Sequence, residues 1–168
     1  MSPRAQHARQ LTLERTFDAS AQDVWDLWTT EDGIESWWGP DGFVVKVRRL
    51  DLRTGGGLGY TMTATGADQI DFMTKAGMPV SSEHSLTFTE VAPARRLAYD
   101  ELVDFVPGVK SYEVRTDVEF TVLPEGGVKI VLTFDAMHDE HWTRLAVMGR
   151  ESELERLAEL VGRRRSES

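Results

Sequence analysis

Apolar and polar residues alternate with a period of two along most of this chain, which is the pattern of strands that bury one face. Residues 11–17 alternate first. The apolar spacing then changes to that of a helix over residues 20–30, where Ser20 is a typical N-cap, and a second short helical turn follows over residues 31–36. Pro40 ends this helical region, because proline cannot continue a helix.

Alternation resumes after residue 43 and predicts six further strands. They lie at residues 43–50, 58–65, 83–91, 96–105, 112–123 and 128–136. Turns rich in glycine and proline separate most of them, and such short connections favour antiparallel neighbours. The segment 66–82 lacks strand alternation but contains Phe72 and Met73, so we expect it to fold back as a flap.

The last predicted element is one long helix from about Asp139 to about Val161. A sheet and a helix that each have one apolar face bury those faces against each other. The sequence therefore predicts an α+β, helix-grip fold, in which a curved antiparallel sheet of six to seven strands wraps around the C-terminal helix. We expect one domain over residues 1–168, with flexible tails at 1–10 and 163–168.

Composition narrows the function classes. The 168 residues include 19 basic and 28 acidic side chains, for a net charge of -9, and such a surface repels nucleic acids. The absence of cysteine excludes disulfides, thiolate metal sites and a cysteine nucleophile. Residues 1–17 contain no apolar run typical of a signal peptide, and no stretch is long and apolar enough for membrane insertion. A cytoplasmic location is the expectation.

Arg150 is the most informative residue of the last helix. At 100° per residue, its side chain falls within the apolar arc formed by Val147, Leu154 and Leu157. An unpaired buried charge is costly, so two hypotheses stand. Arg150 projects into a cavity and binds an acidic or carbonyl group of a ligand, or it pairs with a sheet acid such as Glu101 or reaches the rim.

Other polar and aromatic side chains share the predicted inner face of the sheet. His84 is in phase with apolar neighbours, where it is either a general base or a satisfied structural histidine. Trp37 and Trp38 either cap the cavity mouth, with Phe72 and Met73 opposite, or plug the core. The predicted ligand-binding residues are Trp37, Trp38, Tyr60, Met62, Met73, His84, Phe88, Tyr99, Glu101, Phe105, Tyr112 and Arg150.

Two further motifs do not predict a metal site or a phosphate-binding site. The run from His138 to His141 lacks the i, i+4 histidine spacing of a zinc helix, so no metal is predicted. Gly55, Gly56 and Gly57 lack the ending of a phosphate-binding loop and are interpreted as a hairpin turn.

Five short segments, in this order, resemble the START-like (SRPBCC) superfamily and within it the AHSA1-like group, named after an activator of the Hsp90 ATPase. They lie at residues 16–25, 37–40, 51–56, 90–97 and 133–137. The resemblance covers residues 11–160 and implies the helix-grip fold. Members include ligand carriers, aromatic cyclases, stress-linked proteins and Hsp90 activators, so it implies fold more firmly than function. Related sequences usually have an aromatic residue where this chain has Arg150.

Three functions follow as hypotheses. The first is a binding protein for a small hydrophobic molecule, such as a lipid or polyketide, with no cofactor and no turnover. The second is a polyketide cyclase-like or lyase-like enzyme that uses the same cavity, although no catalytic residue can be assigned. The third is an Hsp90-activator-like stress protein with a chaperone partner. A homodimer is an open alternative to a monomer.

Overall fold

The alternating segments form one antiparallel sheet in the computed structural model, which describes the backbone of residues 9–167 and the side chains of residues 9–164. The strands are β1 (Gln10–Phe17), β2 (Phe43–Leu50), β3 (Gly57–Ala64), β4 (Ser81–Ala92), β5 (Arg96–Val103), β6 (Tyr112–Val122) and β7 (Val128–Asp135). The helices are α1 (Ala21–Thr29), α2 (Glu31–Trp37), α3 (Ala67–Lys75) and α4 (Glu140–Glu167). The strand order β1-β7-β6-β5-β4-β3-β2 confirms the predicted α+β, helix-grip architecture.

Two elements differ from the prediction. The segment 66–82, expected to fold back as a flap, contains the helix α3. Asp68 in its first turn and Lys75 in its last turn interact favourably with the helix dipole. The last helix continues beyond Val161 to Glu167. Residues 1–8 and Ser168 lie outside the described residues, and the flexibility of both tails stays a prediction. Within residues 9–167, no helix combines the length and the apolar character that crossing a bilayer requires.

Two capping residues, Ser20 and Thr30, determine the path of the chain from β1 through α1 and α2. The Ser20 hydroxyl accepts a hydrogen bond from the Asp23 N–H at 3.0 Å and begins α1 as predicted. Thr30 ends α1 and begins α2, because its hydroxyl donates to the Asp26 carbonyl at 2.7 Å and accepts from the Gly33 N–H at 3.1 Å. One residue therefore caps both helices and sets the angle between them.

The core has two parts along the inner face of the sheet. The larger cluster packs α1, α2 and the second half of α4 against the strands, and Leu157 and Val118 lie fully buried within it. A smaller cluster around Val103, Val106 and Val114 lies near the start of α4, with Trp142 packed against it. Residues of both clusters face a common space between the sheet and α4.

Packing of α4 on the larger cluster can be tested by truncating Leu157. We expect Leu157→Ala to lower the free energy of unfolding by about 2–5 kcal/mol, because a fully buried leucine leaves a cavity that neighbours cannot fill. Met148→Ala is the control on the same helix; Met148 is 63% exposed, so the expected change is within about 0.5 kcal/mol. Urea unfolding measures both, and a cost for Leu157→Ala as small as that of the control would contradict the packing.

Candidate functional site

A cavity of about 250 Å³ lies between the sheet and α4. It exceeds the volume of about 150 Å³ at which an apolar cavity can hold benzene, and approaches the size of small-ligand sites. Its walls come from the inner face of the sheet, from α1, α4 and the end of α2, and from the turn that follows α2. The aromatic and apolar lining residues include Trp28, Trp37, Trp38, Tyr60, Met62, Tyr99, Phe105, Leu132, Phe134 and Trp142.

Nine of the twelve predicted ligand-binding residues line this cavity. They are Trp37, Trp38, Tyr60, Met62, His84, Tyr99, Glu101, Phe105 and Arg150. Strand alternation was sufficient to bring the sheet residues among them to one face, because successive side chains of a strand point to opposite faces. Whether any of the nine binds a ligand stays a prediction.

The other three predicted residues lie elsewhere. Met73 is the buried residue of α3, which packs on β3, and does not reach the cavity. Phe88 is in the core, edge-on to Tyr99 with ring centroids 6.4 Å apart. The Tyr112 hydroxyl bonds the His138 ring at 2.6 Å and accepts from the His138 N–H at 3.1 Å. Alternation identifies a face but not the position along the strand at which the cavity begins and ends.

The two adjacent tryptophans are wall residues and not an exposed cap. Trp37 and Trp38 are 3% and 7% exposed, and the Trp37 indole donates to the Leu27 carbonyl at 2.7 Å. Phe72 is 45% exposed and, like Met73, does not line the cavity. The predicted mouth with these two residues opposite the tryptophans is therefore wrong, because the segment that carries them folds as a helix that packs on β3.

The turn after α2 is held by α4. The Gly39 N–H donates to the Glu153 carboxylate at 2.8 Å, and the Asp41 N–H donates to the Ser152 hydroxyl at 2.9 Å. The Arg156 guanidinium donates to the carbonyl oxygens of this turn, among them that of Gly39. Gly39 has a φ of 88°, a conformation that favours glycine, and a Cβ at this position would lie only 3.1 Å from the Val45 side chain.

Arg150 lies in the wall of the cavity with its guanidinium against the sheet. Its Nη2 donates to the Thr116 hydroxyl at 2.9 Å, and its Cζ lies 4.3 Å from the centre of the Phe134 ring. A cation over an aromatic face is attracted by the ring quadrupole. No carboxylate of the described residues forms an ion pair with Arg150, so the hypothesis of a direct pair with Glu101 does not hold.

A group of polar side chains lies on the sheet side of the cavity. The Tyr60 hydroxyl donates to a Glu101 carboxylate oxygen at 3.4 Å, and the His84 ring stacks on Tyr60 at 5.2 Å between centroids. His84 Nε2 also shares a hydrogen bond with the Ser82 hydroxyl at 2.7 Å. Burial lowers the pKa of His84 and raises the pKa of Tyr60, so both side chains are neutral at pH 7.

Glu153 is a polar cavity residue that the sequence interpretation missed. It lies on α4 one turn beyond Arg150. Its carboxylate is surrounded by protein atoms, but the residue as a whole is only half-buried because it borders the cavity. Burial raises its pKa to about 6, against the opposing effects of the Gly39 N–H and the Arg150 charge. The sequence contains a signal for this position, because the same helical wheel that places Arg150 on the inner face of α4 places Glu153 on that side as well.

The described residues include no group of three histidine or acidic side chains arranged to hold a metal ion. The cavity offers instead one guanidinium, carboxylates, and rings on several sides. Burial also raises the pKa of the Tyr99 hydroxyl to about 12, so this wall adds a neutral donor and acceptor. Such a lining suits an organic molecule with an apolar body and few polar groups.

Comparison with known proteins adds the family. A family model described as activator of Hsp90 ATPase homolog 1-like protein matches residues 18–162. A solved structure from Chromobacterium violaceum has 22% sequence identity and a TM-score of 0.74, over 90% of this chain and 96% of that chain. The AHSA1 protein from Silicibacter pomeroyi has 21% identity and a TM-score of 0.65, over 92% and 98%.

A third similar structure, from Mycobacterium smegmatis, has 20% identity and a TM-score of 0.68, over 90% of this chain and 89% of that chain. No curated protein matches the chain. At these identities the solved structures show a shared fold alone.

The raised pKa of Glu153 predicts a pH dependence of stability. A carboxyl group that titrates near 6 when folded and near its usual 4.5 when unfolded binds its proton more tightly in the folded state. Its contribution is therefore complete below the unfolded pKa and is lost as the pH rises through about 6. Relative to Glu153→Gln, the wild type should lose at most about 2 kcal/mol across this window.

Urea unfolding of both proteins at several pH values measures this difference. Subtracting the variant cancels the titration of His84, whose lowered pKa acts in the opposite direction. Glutamine still offers an oxygen to the Gly39 N–H, so the turn should stay in place. A difference that does not change with pH, or that favours the wild type as the pH rises, would contradict the assignment.

Proposed function

The chain belongs to the activator of Hsp90 ATPase homolog 1-like family, and we propose that it binds a small, mainly apolar molecule in its cavity, with an acidic or carbonyl group of that molecule on Arg150. The fold is that of a family of ligand-binding domains in general. One observation carries the proposal: a guanidinium without a carboxylate partner among the described residues lies in the wall of an apolar cavity.

The energetic argument rests on what the wall offers. When an apolar molecule displaces water from the aromatic and aliphatic side chains, the free energy of binding becomes more favourable by about 25 cal/mol per Å² of apolar surface removed from water. A charged hydrogen bond contributes about 1.5–3 kcal/mol and sets the orientation of the ligand. Thr116 and Phe134 hold the guanidinium in place before binding, so little side-chain entropy is lost.

An enzyme is the second candidate, and Glu153 favours it. General acid–base catalysis is most efficient when the pKa of the catalyst lies near the working pH, and burial brings the pKa of this carboxyl group to about 6 within the cavity. A cyclase-like or lyase-like reaction would use such a group to move a proton. This candidate ranks second because the Gly39 N–H already bonds the same carboxylate.

The remaining candidates rest on the family description and on composition. Contact with an Hsp90-type chaperone is a third proposal, supported by the name of the family alone. A cytoplasmic setting stays a prediction. A homodimer stays a prediction.

Binding can be tested with two probes that differ by one charged group. 1-Anilinonaphthalene-8-sulfonate and N-phenyl-1-naphthylamine share their ring system, and the first alone carries a sulfonate. We expect Arg150→Leu to weaken binding of the sulfonate probe at least about tenfold, because a charge-assisted hydrogen bond is lost. The uncharged probe should change by less than about twofold in affinity, since the apolar walls remain. Probe fluorescence measures both dissociation constants.

Arg144→Leu is the matched control, because Arg144 is exposed on the same helix and does not line the cavity. It should leave both dissociation constants unchanged. Near-ultraviolet circular dichroism checks that each variant keeps its packed core. Equal losses for both probes in Arg150→Leu, or no loss for the sulfonate, would contradict a role for Arg150 in holding the polar group.

A further inference from the structure

Glu101 is a second charged residue of the cavity without a counterion. It lies in β5 and lines the same space as Arg150. Its carboxylate accepts one hydrogen bond from the described residues, from the Tyr60 hydroxyl, and the distance of 3.4 Å is longer than is usual for a hydroxyl donor. No lysine, arginine or histidine of the described residues forms an ion pair with it.

The rings around Glu101 do not supply the missing charge. Tyr60 and His84 stack on each other, and Phe105 lies edge-on to His84 with centroids 5.0 Å apart. His84 faces the charges of Glu101 and Asp104, yet burial is the larger effect and lowers its pKa, so it is neutral at pH 7. An anionic acceptor therefore faces the cavity among neutral rings.

Opposite charges in one cavity would be expected to meet, because their attraction grows as water is excluded. Here each is held by different neighbours on the same sheet: Arg150 by Thr116 of β6 and Phe134 of β7, and Glu101 of β5 by Tyr60 of β3. They form no ion pair with each other. A ligand would therefore place a hydrogen-bond acceptor at Arg150 and a hydrogen-bond donor at Glu101.

A ligand with an acid group alone would match only half of this lining. It would gain from Arg150, but it would also face the charges of Glu101 and Glu153. Glu153 already accepts from the Gly39 N–H and lies near the charge of Arg156, whereas Glu101 has the weak bond from Tyr60. Glu101 is therefore the better partner for a donor on the ligand.

We propose that the ligand is bifunctional: a ring compound that presents an acidic or carbonyl oxygen to Arg150 and a hydroxyl or amino hydrogen to Glu101. Its apolar ring body occupies the space between the aromatic walls. This inference rests on the proposed binding function and names the ligand class that the same cavity selects. A hydroxylated ring acid is the simplest member of the class.

A matched series of naphthalenes tests the inference. The series comprises naphthalene, 2-naphthol, 2-naphthoic acid, and the 6-hydroxy and 7-hydroxy derivatives of 2-naphthoic acid. The two hydroxy acids place a donor at the far end of the same body at different angles. In the wild type, we expect at least one of them to bind about tenfold more tightly than 2-naphthoic acid, the effect of one charge-assisted hydrogen bond.

Two substitutions should separate the two ends of the ligand. Glu101→Gln should reduce the gain from the hydroxyl to less than about threefold, because an amide oxygen is a weaker acceptor than a carboxylate. The same variant should bind 2-naphthoic acid more tightly than the wild type does, since a repelling charge is gone. Arg150→Leu should remove the gain that 2-naphthoic acid has over naphthalene and should keep the gain of 2-naphthol.

Glu119→Gln is the control, because Glu119 is an exposed acid in β6 and does not line the cavity. It should leave all affinities unchanged in titrations monitored by ligand fluorescence. The inference is overturned if neither hydroxy acid gains over 2-naphthoic acid, or if the gain survives Glu101→Gln in full. In that case Arg150-dependent binding of 2-naphthoic acid would leave the proposed function intact. If no compound gains affinity from Arg150, the proposed function itself fails and the inference fails with it.

Discussion

A guanidinium on the packing face of α4 is the constraint on which the rest of the site depends. Arg150 lies on the side of the helix that faces the sheet, where a flush contact would bury its charge without a counterion. The two core clusters pack on either side of this position, and the cavity lies between them. Thr116 and Phe134 hold the charge against the sheet while leaving it within reach of a ligand.

A second set of contacts joins the helix to the chain on the far side of the cavity. Glu153 and Arg156 bind the backbone of the turn at Gly39, and Ser152 binds the backbone of the same turn at Asp41. The turn follows two tryptophans that form the wall, so the position of α4 and the position of the wall depend on each other.

The sequence was a good guide to the elements and a partial guide to the site. Alternation with a period of two predicted all seven strands, and the short turns predicted antiparallel pairing of successive strands, because both signals are local. The pairing of β1 with β7 was not predicted, since these strands are far apart in the sequence. The depth of a residue along a strand is not local: Phe88 has the correct face, yet it lies behind Tyr99 in the core. Tyr112 was predicted to bind the ligand but lies outside the cavity, where its hydroxyl is hydrogen-bonded to His138. Glu153 was not predicted because it is polar, although its spacing from Arg150 places it on the same side of α4.

The central claim is that a ligand enters the space between the sheet and α4. Indole N–H signals in a nitrogen-edited NMR spectrum test it most directly, because the five tryptophans report separately on the wall and on the core. Titration with 1-anilinonaphthalene-8-sulfonate should shift the signals of Trp28, Trp37, Trp38 and Trp142, which line the cavity, in a saturable way, and should move that of Trp25 least. Saturable binding that leaves the four lining indoles unchanged would contradict the account.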